Sequence, residues 1–249
     1  MKKKLVLVLL LATLIAGGAF AQISMSAGFG GTFTADFARY NWTALAKQYM
    51  QAEDYDDYDQ NIVGGGFFAY FDATYAMASL GMGFYGISPV DAKTKADWTK
   101  NQMSMSLTTF DISIYGKYPF VLGPVTVFPL LGMEFKIALA QDWNFEGKRY
   151  AWNDPLRVLL RELSGSPGTV GQYWNTTWFK FGVGADIPLA FDGKLYLRPM
   201  FLYGFGTLPK EMSQDIAAWN LAGVFLGGKM VDGILSGLDV KIAVGYKLF

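Results

Sequence analysis

Neither cysteine nor histidine occurs anywhere in the 249 residues. The first absence excludes disulfides and thiolate nucleophiles. The second excludes Ser–His hydrolysis and imidazole-held metal sites. Also missing, beyond the first fifteen residues, is any long apolar run, although 52% of the chain is hydrophobic and 16% aromatic. A membrane-spanning helix needs roughly 20 consecutive apolar residues. A chain this apolar without one either hides a large core or spreads its apolar residues over alternate positions. Lys and Arg together number 21, as do Asp and Glu, and nothing in that balance suggests nucleic acid.

What is present begins with an export signal. Met1 is followed by Lys2, Lys3 and Lys4, an apolar run from Leu5 to Ile15, and the small-x-small site Ala19-Phe20-Ala21. This pattern predicts a signal peptide over residues 1–21 and a mature domain over 22–249. Losing three lysines leaves 18 basic against 21 acidic residues, a mature charge near −3.

The mature chain alternates. In Ile23–Phe37 the residues Met25, Ala27, Phe29, Phe33, Ala35 and Phe37 share one face, while Ser24, Ser26, Thr32, Thr34 and Asp36 share the other. Period two means strand. The pattern returns in Asn61–Asp72, in 76–84 and in Met103–Lys117. It returns again in the strands carrying Val125 to Leu139, Phe179 to Ile187 and Leu195 to Phe205, and lastly in Gly237–Phe249. Short turns (72–74, 118–124 and 192–193) alternate with long segments (38–60, 88–102, 140–171 and 207–236). Asp192-Gly193 reads as a tight hairpin turn. In the fourth segment Met103, Met105 and Leu107 are odd-numbered, whereas Phe110, Ile112 and Ile114 are even. One extra residue near Thr108–Thr109, a β-bulge, accounts for the change. Pro129 and Pro199 fall inside strands, where bulges near the rim are expected to accommodate them.

Eight alternating segments with short and long connections in turn predict an all-β, transmembrane, antiparallel up-and-down β-barrel. In lipid every backbone group must be paired, so the first and eighth strands are expected to close the ring. Ten strands, with a further hairpin in Ala222–Leu235, is the alternative.

The pattern resembles the small outer-membrane barrels of the OmpA, OmpX and OmpW type, across the whole mature chain. That resemblance implies an outer-membrane location, a lipid-facing exterior and a monomer. The end Gly245-Tyr246-Lys247-Leu248-Phe249 resembles the carboxy-terminal signal read by the barrel-assembly machinery, although Tyr246 and Leu248 face one way and Phe249 the other. Barrel enzymes of this membrane use His, so no enzymatic activity is expected, and no cofactor or metal.

Three groups of residues could carry function. Glu53, Asp54, Asp56, Asp57 and Asp59 cluster in the first outer loop. They read as a solvated loop, with a Ca²⁺ site as the alternative, though the EF-hand Gly and final Glu are absent. In the third loop Asn153-Asp154-Pro155 starts a helix. Leu156, Leu159, Leu160 and Leu163 form its apolar stripe, and Gly165 and Pro167 stop it. The stripe packs on the barrel mouth or forms a lid or partner surface. A similar helix is expected near Glu211–Leu221. On the lumen face lie Asp111, Glu134, Lys136, Lys180, Asp186, Arg198, Asp239 and Lys241. An eight-stranded barrel is only wide enough for its own side chains, and buried charges need partners. These eight are expected to pair and plug the lumen. Selective ion passage is the alternative, as is a narrow conduit for small or apolar solutes.

Overall fold

The computed structural model describes residues 24–42, 59–89, 96–97, 99–100, 102–163, 169–190, 193–207 and 231–248. Outside them fall residues 1–21, expected from sequence to be a signal peptide, the acidic residues Glu53 to Asp57, the segment near Glu211–Leu221 and Phe249. Among the described residues ten strands and two helices with full bounds follow in chain order. They are β1 (Met25–Trp42), β2 (Asp59–Ala73), β3 (Ala76–Pro89), β4 (Ser104–Lys117), β5 (Phe120–Leu122), β6 (Val125–Phe145), β7 (Lys148–Ala151), α1 (Pro155–Leu163), α2 (Val170–Trp174), β8 (Thr176–Ala190), β9 (Leu195–Gly206) and β10 (Val231–Lys247).

Eight of the strands close a ring, in the order β1-β2-β3-β4-β6-β8-β9-β10 and back to β1. The seam pairs Ser26 with Lys247 through to Trp42 with Val231. The remaining two are appendages. β5 folds back on β6 beside the turn at Gly123, and β7 pairs with the far end of β6. Phe29, Phe33, Phe67, Leu80, Ile114, Leu131, Phe181 and Ile242 stand exposed on the outside. Among described residues no helix is long and apolar enough to cross a membrane. A closed ring with an apolar exterior and buried charges within satisfies its backbone in hydrocarbon and presents lipid with what lipid tolerates. The fold is a transmembrane β-barrel of outer-membrane type, and the outer membrane is its location. Tyr75, Tyr118 and Phe120 cluster at the short-turn rim, with ring centroids 6.0 and 5.1 Å apart, as an interfacial girdle does.

The strands are longer than their alternation suggested. β1 runs to Trp42, β2 starts at Asp59, and β10 starts at Val231 rather than Gly237. Beyond the hydrocarbon the outer face no longer has to be apolar, so alternation stops while pairing continues. The span 140–171 is likewise not one break. β6 continues to Phe145, and β7, α1 and α2 follow.

The bulge lies where the parity changed, but in the neighbouring strand. The β3–β4 register is unbroken, whereas the β4–β6 register shifts between Thr108, opposite Ala140, and Thr109, opposite Ala138. The extra residue is therefore Leu139 of β6. The expectation that Met103, Met105 and Leu107 face lipid is overturned. Leu107 is buried inside and Met105 packs against the same interior cluster. Odd positions of β4 face inward throughout, and near the mouth the inward side is apolar.

Both prolines sit where the ladder is already interrupted. Pro129 pairs with Val183 of β8, but on its other flank β5 reaches only Val127 and β4 begins at Leu130. Opposite Pro199 the β8–β9 ladder lapses between Gly184 and Ile187, and it shifts register after Pro188.

Candidate functional site

Because inward residues of antiparallel neighbours share a face, the ring stacks its polar side chains into layers. The layer nearest the short turns centres on Arg198 of β9. Its guanidinium donates to both carboxylate oxygens of Asp186, at 2.6 and 2.8 Å, and to Asp72 of β2 at 2.5 Å. Lys117 of β4 reaches the same Asp72 at 2.6 Å. The rings of Tyr70, Tyr196 and Phe128 enclose the guanidinium at 4.7–5.1 Å, a cation–π arrangement that a planar cation suits. The Tyr70 hydroxyl donates to that of Tyr196 (2.9 Å), which donates to Ser26 (2.7 Å).

Glycine makes this layer possible. A Cβ on Gly245 would lie 2.1 Å from the Tyr70 hydroxyl and 2.3 Å from the Tyr196 ring.

The middle layer centres on Glu134 of β6, which accepts from Lys180 of β8 at 2.6 Å, Lys241 of β10 at 2.8 Å and the Tyr115 hydroxyl at 3.1 Å. Lys180 also pairs with Asp239, which accepts from Thr34 at 2.9 Å. All these charged groups are almost completely buried. Above them Lys136 meets Asp36 at 2.6 Å and lies over the Tyr85 and Trp178 rings at 4.9 and 4.8 Å. A cavity of about 20 Å³ beside Asp36, bordered by Trp174, has room for one water.

Of the eight lumen residues expected from sequence, Glu134, Lys180, Lys241 and Asp239 come together directly. Arg198 and Asp186 pair in the lower layer, and Lys136 pairs with Asp36 in the upper one. Asp111 is not in an ion pair among the described residues. It accepts from Thr109 at 2.6 Å and Tyr85 at 3.3 Å. Asp36, Asp72 and Lys117 were missed by sequence reasoning. All three have inward parity, but each sits near the end of its alternating segment, where alternation gave them no weight.

The outer mouth is closed differently. Ile62, Ile87, Leu107, Leu235, Trp174 and Trp178 fill it with apolar volume. Asn175, just after α2, accepts the N–H of Ala138 at the bulge through its side-chain oxygen (2.8 Å). α1 starts as expected, with the Asp154 carboxylate accepting the Leu156 N–H at 3.0 Å. Of the leucine stripe, Leu156 and Leu159 are half exposed, and the side chains of Leu160 and Leu163 lie outside the description. Arg157 anchors the helix. It is buried, donates to the carbonyls of Gln141 (3.0 Å) and Tyr150 (3.1 Å) and to the Gln141 side chain, and stacks on Trp143 and Trp152.

Among solved structures, Neisserial surface protein A is similar at 12% identity, with 90% of this chain and 99% of that chain covered and a TM-score of 0.41. Ail, the attachment invasion locus protein of Yersinia pestis, is similar at 8% identity, covering 90% and 97%, with a TM-score of 0.34. A major outer membrane protein from Thermus thermophilus is similar at 11% identity, covering 88% and 99%, with a TM-score of 0.41. No protein-family model and no curated protein matches the chain.

Proposed function

We propose that this protein is a non-conducting, non-enzymatic anchor that holds surface loops at the cell exterior for structural or recognition roles. In this reading residues 1–21 are removed on export, the assembly machinery receives the chain through β10, and the barrel acts as a monomer with lipid as its constant partner. What supports it is the Glu134 cluster. Lys180 from β8, Lys241 from β10 and Tyr115 from β4 converge on one carboxylate contributed by β6. An ion crossing the lumen would have to separate these partners, and each separation leaves a buried charge without compensation. A conduit for apolar solutes meets the same layer with nothing to offer its charges.

The test is conductance of the folded protein in a planar bilayer. The native protein is expected to be silent, while Lys180→Ala combined with Arg198→Ala opens ion-permeable steps. Stable conductance steps from the native protein would remove the anchor reading and promote the narrow channel.

A further inference from the structure

Above the bulge β4 and β6 stay paired, with β3 still on β4 as far as Met105 and β7 on the far end of β6, and the inward face there is unusual. By register Met105 lies opposite Trp143, two pairs beyond Leu107 and Gln141 and on the same face. Met103 and Phe145 continue the same parity. These four side chains, with Tyr150 of β7 and Leu156 of α1, line a hollow of about 490 Å³. That volume falls within the range of small-ligand sites, which are mostly apolar with few polar groups. Methionine and aromatic linings adapt to flexible apolar shapes.

The polar atoms at the hollow are largely committed. Arg157 borders it, but its guanidinium donates to Gln141 and Tyr150. Ser104 and Asn144 bond each other at 3.3 Å. Arg149, next along β7, pairs with Asp142 at 2.5 Å. Lys148 differs. Its ammonium lies 5.0 Å from the centroid of the Tyr150 ring that lines the hollow, and no ion pair among the described residues claims it. An apolar chamber with an unpaired cation stacked on one of its lining rings suits an apolar body carrying one negative end. A sugar would find too few donors there. A peptide would bring amides that the chamber cannot satisfy.

We infer that this hollow is a binding site for a free long-chain carboxylate, with the chain against Met103, Met105, Trp143 and Phe145 and the carboxylate at Lys148. The site lies above the charged layers, so it takes its ligand from outside whether or not the barrel conducts.

Trp143 provides the readout. The folded full-length protein is placed in phosphatidylcholine nanodiscs and titrated with a terminally brominated fatty acid, whose bromine quenches nearby indole. Saturable quenching is expected, and Trp143→Phe removes that saturable part. Lys148→Glu weakens apparent affinity for the acid by about two- to fivefold, the range of an exposed ion pair. The same variant leaves a brominated alcohol of equal length unchanged. Leu156→Glu abolishes saturation for both probes. If that variant fails to show the mobility shift of a folded barrel on unheated gels, the Lys148 comparison decides alone. Quenching that grows linearly with probe and is indifferent to Trp143→Phe would overturn the site. So would a Lys148→Glu effect equal for acid and alcohol. Saturable quenching of Trp143 by a brominated phosphatidylcholine in the disc would assign the hollow to a bilayer lipid and overturn the free carboxylate.

Discussion

Asp36 and Lys136 belong to diametrically opposite strands, four places apart in either direction around the ring, and their side chains meet at 2.6 Å across the lumen. A pair of that kind fixes the barrel's width at its level. It also makes the interior a test bed, because removing one partner strands the other in a dry environment.

Lys136→Met should therefore cost about 3–5 kcal/mol, read as a lower urea midpoint of the folded barrel in detergent. Adding Asp36→Asn should recover part of the loss, since no bare carboxylate then remains. Lys194→Met, at an exposed turn, is the control. Equal midpoints for Lys136→Met and Lys194→Met would show that the lumen pairs contribute nothing.

Gly245→Ala should destabilise by about 1–3 kcal/mol, because the added methyl meets the Tyr70 and Tyr196 rings within van der Waals distance and the core has no room to yield. Gly116→Ala, whose Cβ would come no closer than 3.7 Å to its neighbours, should be close to neutral. The comparison of the two midpoints checks the packing of the lower layer.

The lipid-facing wall predicts a depth dependence. Phe33→Arg, near mid-height on β1, should cost about 2–4 kcal/mol in refolding into liposomes, and Met25→Arg at the rim about 0–1 kcal/mol. Equal costs at both positions would contradict the assigned span of the bilayer.

Arg157→Ala should free α1 while the eight-stranded ring stays closed. The expected outcome is faster protease cleavage within residues 152–163 of the folded protein, with the barrel itself still running as a compact species on unheated gels. Unchanged cleavage would mean that other contacts hold α1 and that the guanidinium stack is incidental.

The wall was legible because lipid and lumen impose opposite demands on successive residues. Phe29 and Phe33 against Thr32 and Thr34, or Phe179 and Phe181 against Lys180, leave one reading of strand and face. Legibility ended where those demands end. Above the bulge the inward positions Met105 and Leu107 of β4 are as apolar as lipid-facing ones. Parity there named the wrong side, and the bulge at Leu139 was placed one strand away. The lumen partners were half legible for a related reason. Parity says that Lys180 and Glu134 point inward, but not that Lys136 finds Asp36 across the ring rather than Asp111, its cross-strand neighbour. The layer depends on side-chain reach and on which glycines leave space, as Gly237 does for Asp36. Neither is a periodic signal.

The seam between β1 and β10 has a consequence in time. Its paired residues are about two hundred positions apart, from Trp42 with Val231 to Ser26 with Lys247. At roughly 5–20 residues per second of synthesis, the first strand emerges some tens of seconds before the strand it must pair with exists. During that wait its edge is open, a template for pairing with the wrong chain. The order of synthesis thus forbids the ring to close before β10 exists. A chain cut short within β10 would not be a slightly smaller barrel but an open sheet with two adhesive edges.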